Sequence, residues 1–177
     1  MSCMRVAALR FPQYFMETLH APWRIQYILG PKDPPGEASI FTRIGQSNDD
    51  QANLVLFRGR SCFVVMNRYP YNGGHLMVAP YKQIPSLDGL MDEELGEIFR
   101  VVRTCQQVLE RVMRPDGFNI GINVGRIAGA GIVDHLHVHI VPRWNGDTNF
   151  MPVLASTTVL PEALEALGAR LRAAFNE

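Results

Sequence analysis

Asp134-His135-Leu136-His137-Val138-His139-Ile140-Val141-Pro142 carries a histidine at every second position through His139, with Leu136 and Val138 between them. A period of two in β-favouring residues predicts a strand with one apolar face and one face of imidazoles. Three of the chain's five histidines fall in this window. Three readings of them are open. As packing residues, three imidazoles are costly to bury. As metal ligands, a same-face pair such as His135 and His137 converges well on one ion, but the outer α-carbons of the three lie ~13–14 Å apart along a strand. Carboxylates that a hard metal would want are few nearby, only Asp134 and Asp147. As catalysts, neutral imidazole nitrogens attack phosphorus near their ordinary pKa of ~6.5. The middle ring, His137, is then the nucleophile, and its two neighbours donate hydrogen bonds to phosphate oxygens.

Just upstream, Gly125-Arg-Ile-Ala-Gly-Ala-Gly131 offers backbone N–H groups and glycines that permit close approach to an anion. The loop lacks a Lys-Ser/Thr ending and runs into a strand, so neither the P-loop nor the dinucleotide fingerprint applies. Its meaning comes from its place beside the histidines.

Around this centre, Leu54 to Phe57, Ser61 to Asn67 and His75 to Ala79 read as short strands, the last following the turn-rich Arg68-Tyr-Pro-Tyr-Asn-Gly-Gly74. Asp92-Glu-Glu94 opens a long helix with acids opposing its dipole. Leu95, Ile98, Phe99, Val102, Leu109 and Val112 form its apolar stripe, and Pro115 stops it. Phe118, Ile120 and Ile122 alternate with Asn119, Gly121 and Asn123 in a fourth strand. Pro161 starts a last helix with Leu164, Leu167, Leu171 and Phe175 on one face. The expected fold is α+β, a largely antiparallel sheet of about five strands with one long and one C-terminal helix. Residues 51–177 form one domain, and residues 1–50 an extension packed on it. Within that extension Phe15 to Leu19 reads as helical, while Ala21-Pro-Trp-Arg24 and Pro31 to Gly36 break periodicity.

At 177 residues the chain suits a single core, and its 17 acidic and 17 basic residues cancel. No basic stripe suits a nucleic acid and no polybasic run suits a membrane surface, which leaves a small ligand held by local donors. The N-terminus, with Arg5 and Arg10, does not read as a signal peptide, and no apolar run reaches membrane-spanning length. Cys3, Cys62 and Cys105 make no disulfide framework. A cytoplasmic location is the default expectation.

The histidine stretch resembles the signature of the histidine triad superfamily. Phe63-Val-Val-Met-Asn-Arg-Tyr-Pro70 with Gly74-His-Leu-Met-Val-Ala-Pro80 is similar to that family's central hairpin, and Asp92-Glu-Glu-Leu95 to the start of its long helix. Together the motifs cover roughly residues 39–142. Ala21-Pro-Trp-Arg24, Tyr27, Gly129-Ala-Gly-Ile132 and Pro142 through Pro152 resemble the bacterial branch described as diadenosine tetraphosphate phosphorylases. The resemblance implies cleavage of dinucleoside polyphosphates through a nucleotidyl-histidine at His137. His135 and His139 would orient it, bind phosphate oxygens and assist proton movement. Asn67 would meet the ribose, and Asn123 the phosphate or leaving group. His75 would support the site from behind. Gly129, Gly131, Ile132 and Trp144 complete the nucleotide-binding set, with Trp144 either stacking on adenine or anchoring its loop. No protein-bound metal or tightly held cofactor is implied, although the polyphosphate can arrive with magnesium. The family also implies a homodimer, with a tetramer as the larger alternative.

Two departures stand out. Some bacterial members hold zinc through Cys-x-x-Cys and a histidine; the matching positions here are Ser39-Ile-Phe-Thr42 and Gln83, so no zinc site is expected. Many relatives place glutamine and Ser or Thr where this chain has Gly131 and Ile132. Losing such a donor can cost ~10²–10³ in rate, or open the pocket to inorganic phosphate as acceptor. Rival functions are a purine nucleoside phosphoramidase or AMP-lysine hydrolase, and a nucleotide-binding regulator with incidental catalysis. Simpler readings also stand: Asn67 as a turn residue, Asn72-Gly73 as turn chemistry, Arg126 as a solvated loop cation, and Trp23 and Arg24 as seats for the N-terminal arm.

Overall fold

The computed structural model describes residues 37–147 and 162–177. Cys3, the segments read at 15–19, 21–24 and 31–36, Tyr27, residues 148–152 and Pro161 lie outside the described residues. Five strands form one antiparallel sheet in the order β1-β2-β3-β5-β4: β1 Val55–Arg58, β2 Cys62–Met66, β3 Leu76–Pro80, β4 Gly117–Ile122 and β5 Val138–Arg143. Helices α1 Ile40–Gln46, α2 Asp92–Met113 and α3 Leu164–Phe175 complete the fold, with one 3₁₀ turn at Leu87–Gly89. The α+β architecture and the number of strands match the expectation.

Every residue of β2 is buried. Because side chains alternate across a strand, both faces of the sheet are covered at its centre. On one face Phe63 meets the rings of Phe41 from α1 and Tyr81, with centroids 6.4 and 5.4 Å apart. Cys62 and Cys105 are buried free thiols, and burial pushes the Cys62 thiol up to about 12. Neither is a reactive thiolate at neutral pH.

The long helix begins as its acids predict. Glu94 accepts a hydrogen bond from the Met91 backbone N–H at 2.8 Å, and Asp92, Glu93 and Glu94 fill the first turn. It ends at Arg114, left-handed at φ 49°, before Pro115. Ile98, Val102 and Leu109 are buried as expected, with Leu95 and Val112 packed at the margin. Phe99 is not part of the stripe: it is 53 % exposed, and Val101, Cys105 and Val108 complete the inward face instead.

Two further differences bear on the site. Residues 39–46, read as extension, belong to the core: Ser39 caps α1 by accepting the Thr42 N–H at 3.1 Å, and Phe41 and Ile44 are buried. The histidine stretch is not one continuous strand. β5 starts at Val138, paired to Ile122 and Val78, so only His139 of the three sits in the ladder. The Leu136 N–H is bonded instead to the Ile84 carbonyl at 2.7 Å. That bond draws residues 135–137 away from β4 and along the chain that follows β3.

Candidate active site

The three histidines occupy different environments. His135 is wholly buried. Its Nε2 lies 2.8 Å from the Pro80 carbonyl, and a carbonyl only accepts, so Nε2 carries the hydrogen. Its Nδ1 then accepts from the Ser39 hydroxyl at 2.6 Å. Both ring nitrogens are held by protein groups, so the expected contact with phosphate oxygens has no nitrogen left to make it. Orientation of His137 is what the geometry offers: the His135 carbonyl lies 2.9 Å from Nδ1 of His137.

That contact fixes the chemistry of the middle ring. Nδ1 of His137 must donate to the carbonyl, which leaves the lone pair on Nε2. The Phe41 ring packs against His137 at 4.9 Å and against His135 at 5.4 Å. Burial among these groups pushes both imidazole pKa values below the ordinary range; the carbonyl bond of each works in the opposite direction without overturning it. His137 is therefore a neutral imidazole at pH 7 with its lone pair on Nε2.

His139 is half-buried and meets His137 edge-on at 4.7 Å. The register Met77↔His139 places His75 diagonally across from it, and Nε2 of His75 lies 2.9 Å from Nδ1 of His139. The direction of this bond follows from its far end. The Tyr71 backbone N–H donates to Nδ1 of His75 at 3.1 Å, and the Asn67 amide stands 3.3 Å from the same atom. His75 in its neutral form thus donates from Nε2, and a neutral His139 keeps its own hydrogen on Nε2. Tyr71 also stacks on His75 at 4.9 Å, 16° from parallel. The neighbouring rings thus present a lone pair on one Nε2 and a proton on the other.

The remaining residues fall less neatly. Asn67 is buried and its Oδ1 accepts the Tyr69 N–H at 2.9 Å, the turn geometry of its simpler reading. Asn123 follows β4 directly, one residue beyond the last pair of the ladder, Ile122 with Val138. In the glycine loop, Gly125 and Gly129 adopt φ of 83° and 88°, which only glycine takes without strain. The Gly129 and Ala130 N–H groups are bonded within the loop, to the Arg126 and Gly125 carbonyls, and not turned out as an open cradle. Gly131 is exposed and Ile132 half-buried. Trp144 is half-buried in a turn closed by Asp147, whose carboxylate accepts the Trp144 N–H at 3.2 Å. Arg126 is exposed.

The positions matched to zinc ligands come together, but as a hydrogen-bonded cluster. Thr42 Oγ1 donates to Gln83 Oε1 at 2.7 Å, the Ser39 N–H donates to the same oxygen at 2.9 Å, and Gln83 Nε2 donates to the Glu37 carbonyl at 3.0 Å. One imidazole with two hydroxyls and an amide oxygen is a poor donor set for zinc. Among the described residues no group of three or more His, Cys, Asp or Glu is placed to hold a metal. Phe41 and the bond from Ser39 are the parts of this site that sequence patterns did not point to.

Sheet order, long helix and histidine arrangement define a histidine triad fold. The chain belongs to the histidine triad (HIT) family, whose domain it matches over residues 48–146. It is 41 % identical over 155 residues to the AP-4-A phosphorylase of Mycobacterium tuberculosis, covering 84 % of this chain and 79 % of that protein. It is 40 % identical over 93 residues to the asymmetrical bis(5'-nucleosyl)-tetraphosphatase of Schizosaccharomyces pombe, covering 52 % of this chain and 50 % of that one. A zinc-bound histidine triad protein from Mycobacterium smegmatis superposes with a TM-score of 0.62 at 25 % identity, covering 77 % of this chain and 92 % of that one.

Proposed function

We propose that this protein cleaves dinucleoside polyphosphates of the diadenosine tetraphosphate type by transferring a nucleotidyl group to His137. The observation that carries the reading is the bond from Nδ1 of His137 to the His135 carbonyl, which aims a lone pair out of Nε2. In the first step Nε2 bonds to the α-phosphorus as the bond from that phosphorus to its bridging oxygen breaks. His139 gives its Nε2 proton to the departing oxygen. In the second step an acceptor loses its proton to His139 and attacks the same phosphorus, and His137 leaves as neutral imidazole. Asn123, just past the Ile122–Val138 pair, contacts the phosphate or leaving group. Magnesium arriving with the polyphosphate is part of the substrate.

The acceptor decides between phosphorolysis and hydrolysis. The absence of a side-chain donor at Gly131 and Ile132 favours inorganic phosphate, and the phosphorylase among the relatives supports the same choice. Diadenosine tetraphosphate should then yield ADP and ATP, at a rate that rises with added phosphate. Equal rates of AMP and ATP release with and without phosphate would restrict the acceptor to water. A preference for adenosine phosphoramidates in direct competition would favour the phosphoramidase reading instead.

A homodimer belongs to the same proposal. β4 lies at the edge of the sheet, and Ile120 in it and Val124 just after it are 42 and 48 % exposed. An open apolar edge invites pairing with a second copy. Ile120→Asp should yield a monomer by sedimentation; a wild-type monomer at assay concentration contradicts the pairing. No helix among the described residues is long and apolar enough to cross a membrane. The neutral charge balance suits a small nucleotide held by local donors.

A further inference from the structure

We propose that Ser39 is a positioning residue for the nucleophile: its hydroxyl fixes the His135 ring, whose main-chain carbonyl holds His137. The proposal rests on the reading of His137 as nucleophile. Its grounds are directional. The Pro80 carbonyl can only accept, which places the hydrogen of His135 on Nε2. Nδ1 must then accept, and the Ser39 hydroxyl at 2.6 Å is the donor within reach in the best geometry. The Thr42 hydroxyl stands farther away, at 3.4 Å, and is spent on Gln83 at 2.7 Å. Ser39 in turn is anchored at both ends of its residue. Its oxygen accepts the Thr42 N–H, and its own N–H donates to Gln83.

The cluster has one consistent set of hydrogen-bond directions in which His135 stays neutral. His135 and Ser39 are 0 and 3 % exposed, so no solvent can substitute for a lost partner. The ring is pinned between the end of β3 and the first turn of α1. Residue 135 lies outside the sheet ladder, so no strand pairing supports its carbonyl. The bond from the Leu136 N–H to the Ile84 carbonyl holds that peptide plane on one side, and the His135 side chain anchors it on the other. Donors that do not suit zinc thereby take on the task of holding the catalytic segment.

A helix cap is the competing explanation, and substitutions separate the two. Ser39→Ala removes cap and donor together. Ser39→Asp keeps an oxygen to cap α1 but can only accept, so His135 meets it only as an imidazolium protonated on both nitrogens: the cap is retained and the neutral tautomer is lost. Ser39→Thr keeps both. The full chain is labelled with ¹⁵N-histidine and its ring nitrogens are read by long-range ¹H–¹⁵N correlation, beside kcat and KM for diadenosine tetraphosphate. The wild type should show His135 protonated on Nε2 and His137 on Nδ1. Ser39→Ala and Ser39→Asp should lose the His135 pattern and lower kcat on the order of ten- to a hundredfold, with KM within about twofold. Ser39→Thr should restore both.

Three results overturn the proposal: a wild-type His135 protonated on Nδ1, full kcat in Ser39→Ala and Ser39→Asp, or rate losses that merely track the unfolded fraction. The wild-type spectrum decides the first even if a variant does not fold. Failure of the parent reading looks different. There, His137→Asn would keep its rate while the His135 spectrum stayed as expected.

Discussion

Phe41→Ala tests whether the apolar wall behind the histidines sets their protonation. Phe41 is 1 % exposed and its ring touches His135, His137 and Phe63. Truncating a buried phenylalanine costs ~3–5 kcal/mol, with the upper end applying where the site cannot collapse. Two anchored imidazoles form part of this wall, so little collapse is available. At about 2–4 °C per kcal/mol for a chain of this size, the melting temperature should fall by roughly 6–20 °C. Water entering the space also relieves the desolvation that depresses the His137 pKa, moving that pKa up toward ~6.5. The acid limb of kcat/KM should therefore shift to higher pH in Phe41→Ala, measured well below its melting point. Phe41→Leu should show a smaller version of both effects. Loss of stability with an unmoved acid limb would refute the reasoning, since the wall would then be packing alone.

Three other outcomes follow from the same geometry. His75→Ala removes the donor to Nδ1 of His139 and frees that ring's tautomer; kcat should fall on the order of ten- to a hundredfold, most steeply for poor leaving groups, and an unchanged rate would detach His75 from catalysis. Buried neutral His135 and His137 take up protons less readily than in the unfolded chain, so between their depressed pKa values and ~6.5 the unfolded state binds more protons; stability should be full above ~6.5 and fall with acid by up to about 1.4 kcal/mol per pH unit for each ring, and urea midpoints that are flat across this range would contradict the burial argument. Zinc should be absent from protein purified without added metal, and a zinc-selective chelator with magnesium kept in excess should leave activity intact, because Ser39, Thr42 and Gln83 replace strong ligands; one zinc per chain by elemental analysis would reverse that conclusion.

Long-range periodicity made the sheet and the long helix legible. β2 is apolar throughout, Cys62 to Met66, and α2 carries acids at one end and Pro115 just beyond the other. Most boundaries moved by a residue or so, but β5 starts only at Val138. α1 escaped because seven residues hold only Phe41 and Ile44 as an apolar face, too short a run to show a helical period, with Gly45 inside it. Phe99 lies within the sequence stripe, but its exposure depends on which elements dock against α2. The histidine stretch taught the most. Alternation set its three rings apart and put His137 in the middle, yet it implied one continuous strand with all three rings on one face. A single bond from Leu136 to Ile84, between residues far apart in sequence, bends the segment. Hydrogen-bond direction then distinguishes the rings, and periodicity carries no information about direction.

Nε2 of His137 should form a covalent bond to phosphorus during turnover. Rapid quenching of a reaction with diadenosine tetraphosphate, followed by peptide mass spectrometry under conditions that spare phosphoramidates, tests this directly. An adenylyl group on the peptide carrying His137, absent in His137→Asn, is the expected result. An adduct on another residue, or turnover in His137→Asn at the wild-type rate, would contradict it.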